Sequence, residues 1–273
     1  MASVRVIQTG GVLVSPAVPD RGSRSNPLAY TGLFQSRKNR IEVPVKCFLV
    51  SNAGHLTLVD AGWSARDAHD AVKHMGFPLW FSSEPVLAEK DAADRQLEAL
   101  GIKPQDLDAI VMTHLDCDHA AGLDAFTEVI RVLVAPQELE AAAAPLDPRY
   151  NPGLWDGIQF ETVQWVFDDK APFRQSADLY GDGSLVAYCV PGHSKGSLVL
   201  IATDAATGDF VVFTGDTGYE QKSWDELMLP GVQTDARALR EGLAWIQSLR
   251  TDPHCVGTFA AHDPAVKPGV YEF

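Results

Sequence analysis

A six-residue polar loop that follows an apolar run constrains this chain more than any other feature. The loop reads His114-Leu115-Asp116-Cys117-Asp118-His119. It comes directly after the strand-like residues 109–113, and its histidines and aspartates are residue types that bind divalent metal ions. Histidine and aspartate are also common in solvated turns, which is the competing interpretation. We therefore predict a metal site at the end of a strand.

Three further candidate ligands follow later apolar runs. They are His193 in Val-Pro-Gly-His-Ser, Asp216 in Phe-Thr-Gly-Asp-Thr and His262 in Ala-Ala-His-Asp. The ends of neighbouring strands lie side by side in a sheet, and the loops beyond strand ends often carry functional sites. Seven side chains from four loops are thus expected to converge: His114, Asp116, Asp118, His119, His193, Asp216 and His262.

The order of strand-like and helix-like segments predicts an α/β fold. A hairpin is predicted over residues 43–50 and 56–59, with further strands at 110–113, 129–134, 185–190, 197–202 and 210–214. Helices are predicted from Ser64, a candidate N-cap, to Gly76, and over residues 91–100, 136–144 and about 236–249.

Length and composition predict one domain over residues 1–273. The chain is 46% hydrophobic, which suffices for one sizeable core, and no linker or low-complexity segment interrupts it. A formal net charge of −14 opposes binding to nucleic-acid phosphates and to anionic membrane surfaces. We therefore expect neither a nucleic acid nor a membrane as a partner.

The cysteines and the N-terminus predict a cytoplasmic location. Four cysteines are widely spaced and form no Cys-x-x-Cys pair, which favours reduced thiols over a disulfide framework. The N-terminus lacks a basic segment followed by a long apolar stretch, and no run of about eighteen apolar residues occurs.

Taken together, the polar motifs resemble the signature of the metallo-β-lactamase superfamily. That signature reads His-x-His-x-Asp-His, then Gly-His, then Asp and then a final His, and the resemblance spans nearly the whole chain. It implies an αββα sandwich with a dinuclear metal site at one edge, between the two sheets. The implied ligands are His114, residue 116 and His193 for one ion, Asp118, His119 and His262 for the other, and Asp216 as the bridge.

Two other residues of this region also match the family. Asp60, in Val-Asp-Ala-Gly, stands in a turn that braces the metal loop of the family without binding the metal. Cys117 occupies a variable loop position that points away from the metals in the family, so we do not expect it to be a ligand.

Asp116 departs from the family pattern, which has a histidine at this position. A carboxylate is a harder and shorter ligand than imidazole. The resemblance implies two divalent ions with zinc as the expected metal, while Asp116 leaves open Mn²⁺, Fe²⁺ or the loss of this ligand. Three aspartates and a bridging hydroxide would cancel the charge of two divalent ions, so the sequence predicts a weaker Lewis acid and neutral substrates.

Tyr219, three residues after Asp216, narrows the predicted chemistry. In the N-acyl homoserine lactonase branch of the superfamily, a tyrosine at this offset points toward the substrate. Residues 44–50 and the pair His262-Asp263 are also similar to that branch. The resemblance thus implies a metal-dependent hydrolase that opens a lactone by attack of a metal-bridging hydroxide. Tyr219 would donate a hydrogen bond and Asp118 would orient the water, although a tyrosine here is otherwise an ordinary packing residue.

Three alternatives remain open at this point. The same fold hydrolyses thioesters, phosphoesters and lactams, so the bond is not fixed. A carboxylate at the second signature position also occurs in flavodiiron proteins, which points to a di-iron oxidoreductase, although those proteins use Glu and carry a flavin domain. The scaffold would be a binding or structural module if Asp116 did not reach the metal.

The substrate pocket is weakly encoded. Residues 16–40 and 77–89 are the predicted walls or lids, and the expected partner is a small neutral lactone. The aromatic cluster of Phe77, Trp80 and Phe81 is compatible with pocket, core or dimer contact, which leaves a homodimer open.

Overall fold

Two long antiparallel strands, β1 (Ser3–Val14) and β2 (Ile41–Asn52), pair with each other in the first sheet. The computed structural model describes residues 1–22, 26, 28–33, 35–129, 131–144 and 147–273. Residues 45–50 of β2 are buried at every position, so both faces of the strand are covered. The sheet is therefore an inner layer of the fold.

The first sheet contains six more strands within the described residues. These are β3 (His55–Val59), β4 (Glu84–Val86), β5 (Ala109–Val111), β6 (Val132–Val134), β7 (Phe160–Thr162) and β14 (Gly269–Glu272). The order is β14-β1-β2-β3-β5-β6-β7, with β4 paired to β1. Strands β2 and β3 form the predicted hairpin, which is confirmed, and β3, β5, β6 and β7 run parallel.

The second sheet has the order β13-β12-β11-β10-β9-β8. Its strands are β8 (Val166–Phe167), β9 (Gln175–Asp178), β10 (Leu185–Cys189), β11 (Leu198–Thr203), β12 (Phe210–Phe213) and β13 (Cys255–Phe259). The strands predicted at 185–190, 197–202 and 210–214 are thus confirmed. The strand predicted at 129–134 is shorter, and residue 130 lies outside the described residues.

Helices cover the outer faces of both sheets. They are α1 (Asp67–Met75), α2 (Phe77–Ser82), α3 (Ala93–Ala99), α4 (Cys117–Ala120), α5 (Pro136–Ala142), α6 (Gln221–Asp225) and α7 (Ala236–Leu249). The prediction that Ser64 caps the first helix is wrong. Helix α1 begins at Asp67, after a turn at residues 65–66, and the Ser64 hydroxyl accepts from the Arg66 amide within that turn and donates to Asp124.

Three apolar clusters hold the layers together. One joins the first sheet to helices α1, α2, α3 and α5, through residues such as Leu58, Met75 and Leu97. A second lies between the two sheets and includes Phe48 and Phe213, whose ring centroids are 5.3 Å apart. A third joins the second sheet to α6 and α7. The layers are helix, sheet, sheet and helix, which confirms the predicted αββα sandwich.

The length and apolar content of a helix decide whether it could span a membrane. Within the part of the chain that the structure describes, no helix is both long enough and apolar enough to cross a lipid bilayer.

Candidate metal centre

The seven predicted ligands meet where loops of the two sheets face each other. The loop with His114 and Asp116 follows β5 of the first sheet and leads into α4, which carries Asp118 and His119. The other three ligands follow β10, β12 and β13 of the second sheet: His193, Asp216 and His262. The Leu198 amide donates to the Thr113 carbonyl at 3.0 Å, so the two sheets are hydrogen bonded beside the site.

One triad consists of Asp118, His119 and His262. The two imidazole Nε2 atoms are 3.4 Å apart, and His262 Nε2 lies 3.5 Å from Asp118 Oδ2. Two atoms that bind one zinc ion at about 2.0–2.1 Å with tetrahedral geometry are roughly 3.4 Å apart. The spacing of this triad therefore suits a single ion.

A second triad consists of His114, His193 and Asp216. Asp216 Oδ2 lies 3.7 Å from His193 Nε2, whereas Asp216 Oδ1 lies 3.2 Å from Nε2 of both His119 and His262. The two oxygens of one carboxylate thus face different triads. This is the geometry that a bridging ligand requires.

Each histidine of the two triads has a partner for its outer ring nitrogen. In the loop after β5 and in α4, His114 Nδ1 contacts Thr113 Oγ1 and His119 Nδ1 contacts Asp60 Oδ2. In the loops of the second sheet, His193 Nδ1 contacts the Val232 carbonyl and His262 Nδ1 contacts the Pro44 carbonyl. All four distances are 2.8–3.0 Å. Carboxylate and carbonyl partners accept hydrogen bonds from Nδ1–H, which leaves the Nε2 lone pair free to face the centre.

Two polar atoms inside the site test whether cations fit there. Among the described residues, neither His114 Nε2 nor Asp216 Oδ1 has a hydrogen-bond partner, although both atoms are buried. Buried polar atoms are normally paired, and both atoms are of types that bind divalent ions. Asp116 and Asp118 are 16% and 14% exposed, which marks the open side of the site. The residues present fit two divalent ions.

The turn at Asp60 braces the metal loop as predicted. Its carboxylate accepts from the Thr113 amide at 2.7 Å, from the Thr113 hydroxyl at 2.9 Å and from His119 Nδ1 at 2.8 Å. The turn needs unusual backbone at two positions, with φ of +59° at Asp60 and +66° at Gly62. A Cβ at Gly62 would also collide with Thr9.

Gly192 allows the loop of His193 to pack closely against helix α7. Its φ is +140°, and a Cβ there would lie 2.5 Å from the Leu239 amide nitrogen in α7. Helix α7 begins at this place because Asp235 accepts from the amides of Arg237 and Ala238. The Gly-His motif therefore lies where the loop of His193 closely contacts the capped helix α7.

Asp116 extends toward the site and forms an ion pair there. Its Oδ2 lies 3.0 Å from His193 Nε2 and 3.5 Å from His114 Nε2, so the shorter side chain does reach the second triad. The same carboxylate accepts two hydrogen bonds from Arg149, at 2.5 Å and 2.8 Å. Burial opposes ionisation, but the Arg149 charge holds the pKa of Asp116 well below its usual range.

Three residues that the sequence reasoning missed support the metal loops. They are Arg149, Tyr150 and Glu138, and Glu138 is fully buried in α5. The Glu138 carboxylate accepts from the Leu115 amide, the Tyr150 hydroxyl, the Ser194 hydroxyl and the Gly196 amide, at 2.6–3.1 Å. It thus ties the loop of His114 to the loop of His193. The carboxylate at position 116 was a hint in the sequence that a cation lies nearby, but it did not identify Arg149.

Tyr219 lies beside both triads. Its ring is stacked on His262 with centroids 4.9 Å apart, and the His193 ring is 6.2 Å away. Burial raises the pKa of Tyr219 well above its usual value, and the nearby charges of Asp216 and Asp118 raise it further. The hydroxyl therefore stays protonated and can donate a hydrogen bond. Cys117, by contrast, is buried in the apolar cluster between the first sheet and its helices.

The two predicted wall segments contact each other. Arg37 lies over the Trp80 ring at 5.0 Å, and Arg40 lies over the Phe81 ring at 5.3 Å. The Gly231 amide donates to the Val18 carbonyl, next to the Val232 carbonyl that binds His193. Residues 23–25, 27 and 34 of the first segment lie outside the described residues.

The aromatic cluster divides between core and surface. Trp80 packs against the apolar cluster of the first sheet, whereas Phe77 is 59% exposed. The contribution of this cluster to a pocket remains a prediction.

The fold and site define a class of proteins, αββα sandwiches with histidine- and aspartate-rich loops at one edge. The model of the metallo-beta-lactamase superfamily matches residues 40–244, which is most of the chain. This protein belongs to the metallo-β-lactamase superfamily.

Known proteins similar to this chain include lactonases. It is 29% identical over 235 residues to the N-acyl homoserine lactonase AttM of Azorhizobium caulinodans, covering 83% of this chain and 84% of that protein. A solved N-acyl homoserine lactone hydrolase with bound product N-hexanoyl-L-homoserine superposes with a TM-score of 0.76 at 19% identity, over 96% and 94% of the chains. The dizinc quorum-quenching lactonase AidC gives a TM-score of 0.64 at 14% identity, over 98% and 89%. These two structures support the fold.

Proposed function

We propose that this protein is a metal-dependent hydrolase that opens the ring of a small neutral lactone, with N-acyl homoserine lactones as the substrate class. Relatives named N-acyl homoserine lactonase match the chain over most of its length. Six of the candidate ligands form the two triads, and Asp116 lies beside His114 and His193. The observation that carries the proposal is the position of Tyr219 beside both triads.

We assign the candidate ligands to two ions. His114, His193 and Asp116 would hold one ion, Asp118, His119 and His262 the other, and Asp216 would bridge them, with zinc as the first expected metal. When bound, the ions would supply Lewis acidity and make a water molecule acidic enough to act near neutral pH. The description of AidC as a dizinc lactonase supports zinc.

The protein's own residues would guide the ring opening. Asp118 faces the open side of the site, where its carboxylate can accept a hydrogen bond from the attacking water. The water oxygen adds to the lactone carbonyl carbon, and the ring C–O bond then breaks. Tyr219 donates to the oxygen that gains negative charge. Of the two protons that the attacking water loses, one reaches the leaving alkoxide through solvent water and the other is released to solvent. The products are one hydroxyl and one carboxylate.

Activity on a panel of substrates tests this proposal. The metal-reconstituted enzyme is assayed with N-hexanoyl homoserine lactone, a thioester, a phosphodiester and a β-lactam, and acid release or chromophore release is measured for each. We expect kcat/KM for the lactone to exceed that for each other substrate. A higher value for another bond would contradict the proposal. Oxygen consumption by the iron-loaded protein, without hydrolysis, would support the oxidoreductase instead.

Location and assembly belong to the same proposal. Four free cysteines, three of them buried, are compatible with a reducing compartment, so we propose a cytoplasmic enzyme. The single domain and the homodimer stay predictions, and light scattering of the purified protein would measure the oligomeric state.

A further inference from the structure

One guanidinium, that of Arg149, contacts two of the three candidate ligands assigned to one ion, Asp116 and His193. Arg149 lies in the segment after α5, and its side chain is 16% exposed. Its Nε and Nη2 donate to Asp116 Oδ1 and Oδ2 at 2.5 Å and 2.8 Å, and its Nη1 donates to the His193 carbonyl at 2.7 Å. Loss of this side chain would therefore release a carboxylate and a backbone segment together.

The fork of hydrogen bonds holds the Asp116 carboxylate, and the distances to the histidines indicate which of its oxygens can bind an ion. A carboxylate has about four lone pairs on two oxygens, and the paired donors of Arg149 occupy one on each oxygen. Asp116 Oδ2 lies 3.0 Å from His193 Nε2 and 3.5 Å from His114 Nε2, close to the spacing of ligands that share one ion. Asp116 is thus arranged to bind an ion through Oδ2.

The guanidinium also changes the charge of the site. Two divalent ions, three aspartates and one hydroxide would sum to zero, but Arg149 adds one positive charge in direct contact with Asp116. The total then equals that of a site with a neutral histidine at position 116. The sequence-based expectation of a neutral centre omitted this contact.

We propose that Arg149 and Asp116 together replace the second signature histidine, with Arg149 as the residue that positions Asp116 and restores the positive charge. This inference rests on the proposed two-ion centre. Glu138 supports the same assembly, because it holds the Tyr150 hydroxyl next to Arg149 and the amides on both sides of the centre.

Metal titration of variants tests the pair. Metal-free protein is titrated with Zn²⁺ in a calorimeter, and the number of ions bound and their affinities are measured. We expect two ions for the parent protein. Arg149→Met should retain one ion and lose about 10- to 100-fold in affinity for the other. Arg149→Lys, which keeps the charge but not the fork, should lie between the two.

The double variant Asp116→His/Arg149→Met provides the decisive comparison. It restores the usual histidine and removes the Arg149 guanidinium, so we expect two ions bound again. Asp116→His alone places an imidazole against the guanidinium and should weaken metal binding at this site. Arg131→Met is the matched control, because Arg131 makes a similar fork with Glu161 at 2.9 Å and 3.0 Å among exposed side chains. Thermal melting of each metal-free variant measures whether it is folded.

Each outcome decides the inference. Two ions bound by Arg149→Met with parental affinity would overturn it, as would a folded double variant that binds only one ion. If Arg149→Met does not fold, Arg149→Lys and the double variant decide by the same measurements. A parent protein with two bound ions but no lactone turnover would refute the proposed substrate and leave the role of Arg149 intact. A parent with fewer than two ions would overturn the role of Arg149.

Discussion

His119 donates a hydrogen bond from Nδ1 to Asp60 Oδ2 over 2.8 Å, and this contact fixes which ring nitrogen faces the centre. Asp60→Asn should place an amide NH₂ against Nδ1–H, because the remaining amide oxygen is needed by the Thr113 amide. We expect the zinc affinity of the triad Asp118, His119 and His262 to fall about 10- to 100-fold, measured by calorimetry. Asp235→Asn is the control, since asparagine caps a helix equally well. Unchanged affinity in Asp60→Asn would contradict the assigned role.

Tyr219→Phe removes the proposed hydrogen-bond donor without changing the ring. We expect kcat for lactone opening to fall on the order of 100-fold, because one donor to a developing oxyanion has this effect in other enzymes. The bound metal should be unchanged, which elemental analysis of the same sample measures. Tyr188→Phe is the control, because Tyr188 packs on Trp245 with centroids 5.0 Å apart, on the far face of the second sheet. Parental kcat in Tyr219→Phe would remove this residue from the mechanism.

Glu138→Gln should destabilise the fold more than its small change in shape suggests. The carboxylate accepts four hydrogen bonds, so an amide NH₂ would face two donors on one side. Each buried donor left without a partner costs about 1–3 kcal/mol, and we expect the free energy of unfolding to fall by about 2–5 kcal/mol. Urea unfolding measures this. Glu140→Gln, exposed on the same helix, is the control, and equal stability of both variants would contradict the prediction.

His74 should make stability depend on pH. Burial lowers its pKa, but the hydrogen bond to Asp67 at 2.8 Å and the charges of Asp67 and Asp124 raise it overall, against an opposing effect of Arg66. A raised folded-state pKa stabilises the fold fully below the unfolded value of about 6.5, and this contribution disappears as pH rises through the folded pKa.

The variant His74→Gln tests this sign. The difference in free energy of unfolding between the parent protein and the variant should be larger at pH 5.5 than at pH 8.5, by urea unfolding of metal-free protein. His69→Gln is the control, because His69 is 68% exposed. A difference that grows with pH would show that the sign is wrong.

Elements and residues that are marked by a local sequence pattern could be predicted from the sequence. Helix α7 occupies the predicted residues 236–249, because its apolar residues recur at helical spacing and pack on the second sheet. The predicted helix over 91–100 contains α3, at residues 93–99. The candidate ligands His193 and Asp216 were found because each follows an apolar strand and matches a family motif.

Residues that act through long-range contacts could not be predicted in this way. Arg149 lies 33 positions from Asp116 and 44 from His193, in a segment without a periodic pattern or a family motif. Glu138 appears in the sequence as an ordinary polar residue of an amphipathic helix, and only the fold shows that it is fully buried. The interaction between charge at position 116 and a distant cation is a property of the tertiary structure.

Zinc titration of the metal-free protein during turnover tests the two-ion centre most directly. Opening of N-hexanoyl homoserine lactone is followed as Zn²⁺ is added in steps to a known concentration of protein. We predict that the rate rises with added metal and reaches its plateau at two equivalents per chain. A rate that stays at the uncatalysed level with zinc, and equally with manganese, cobalt and iron, would contradict the assignment of these seven side chains to a hydrolytic metal centre.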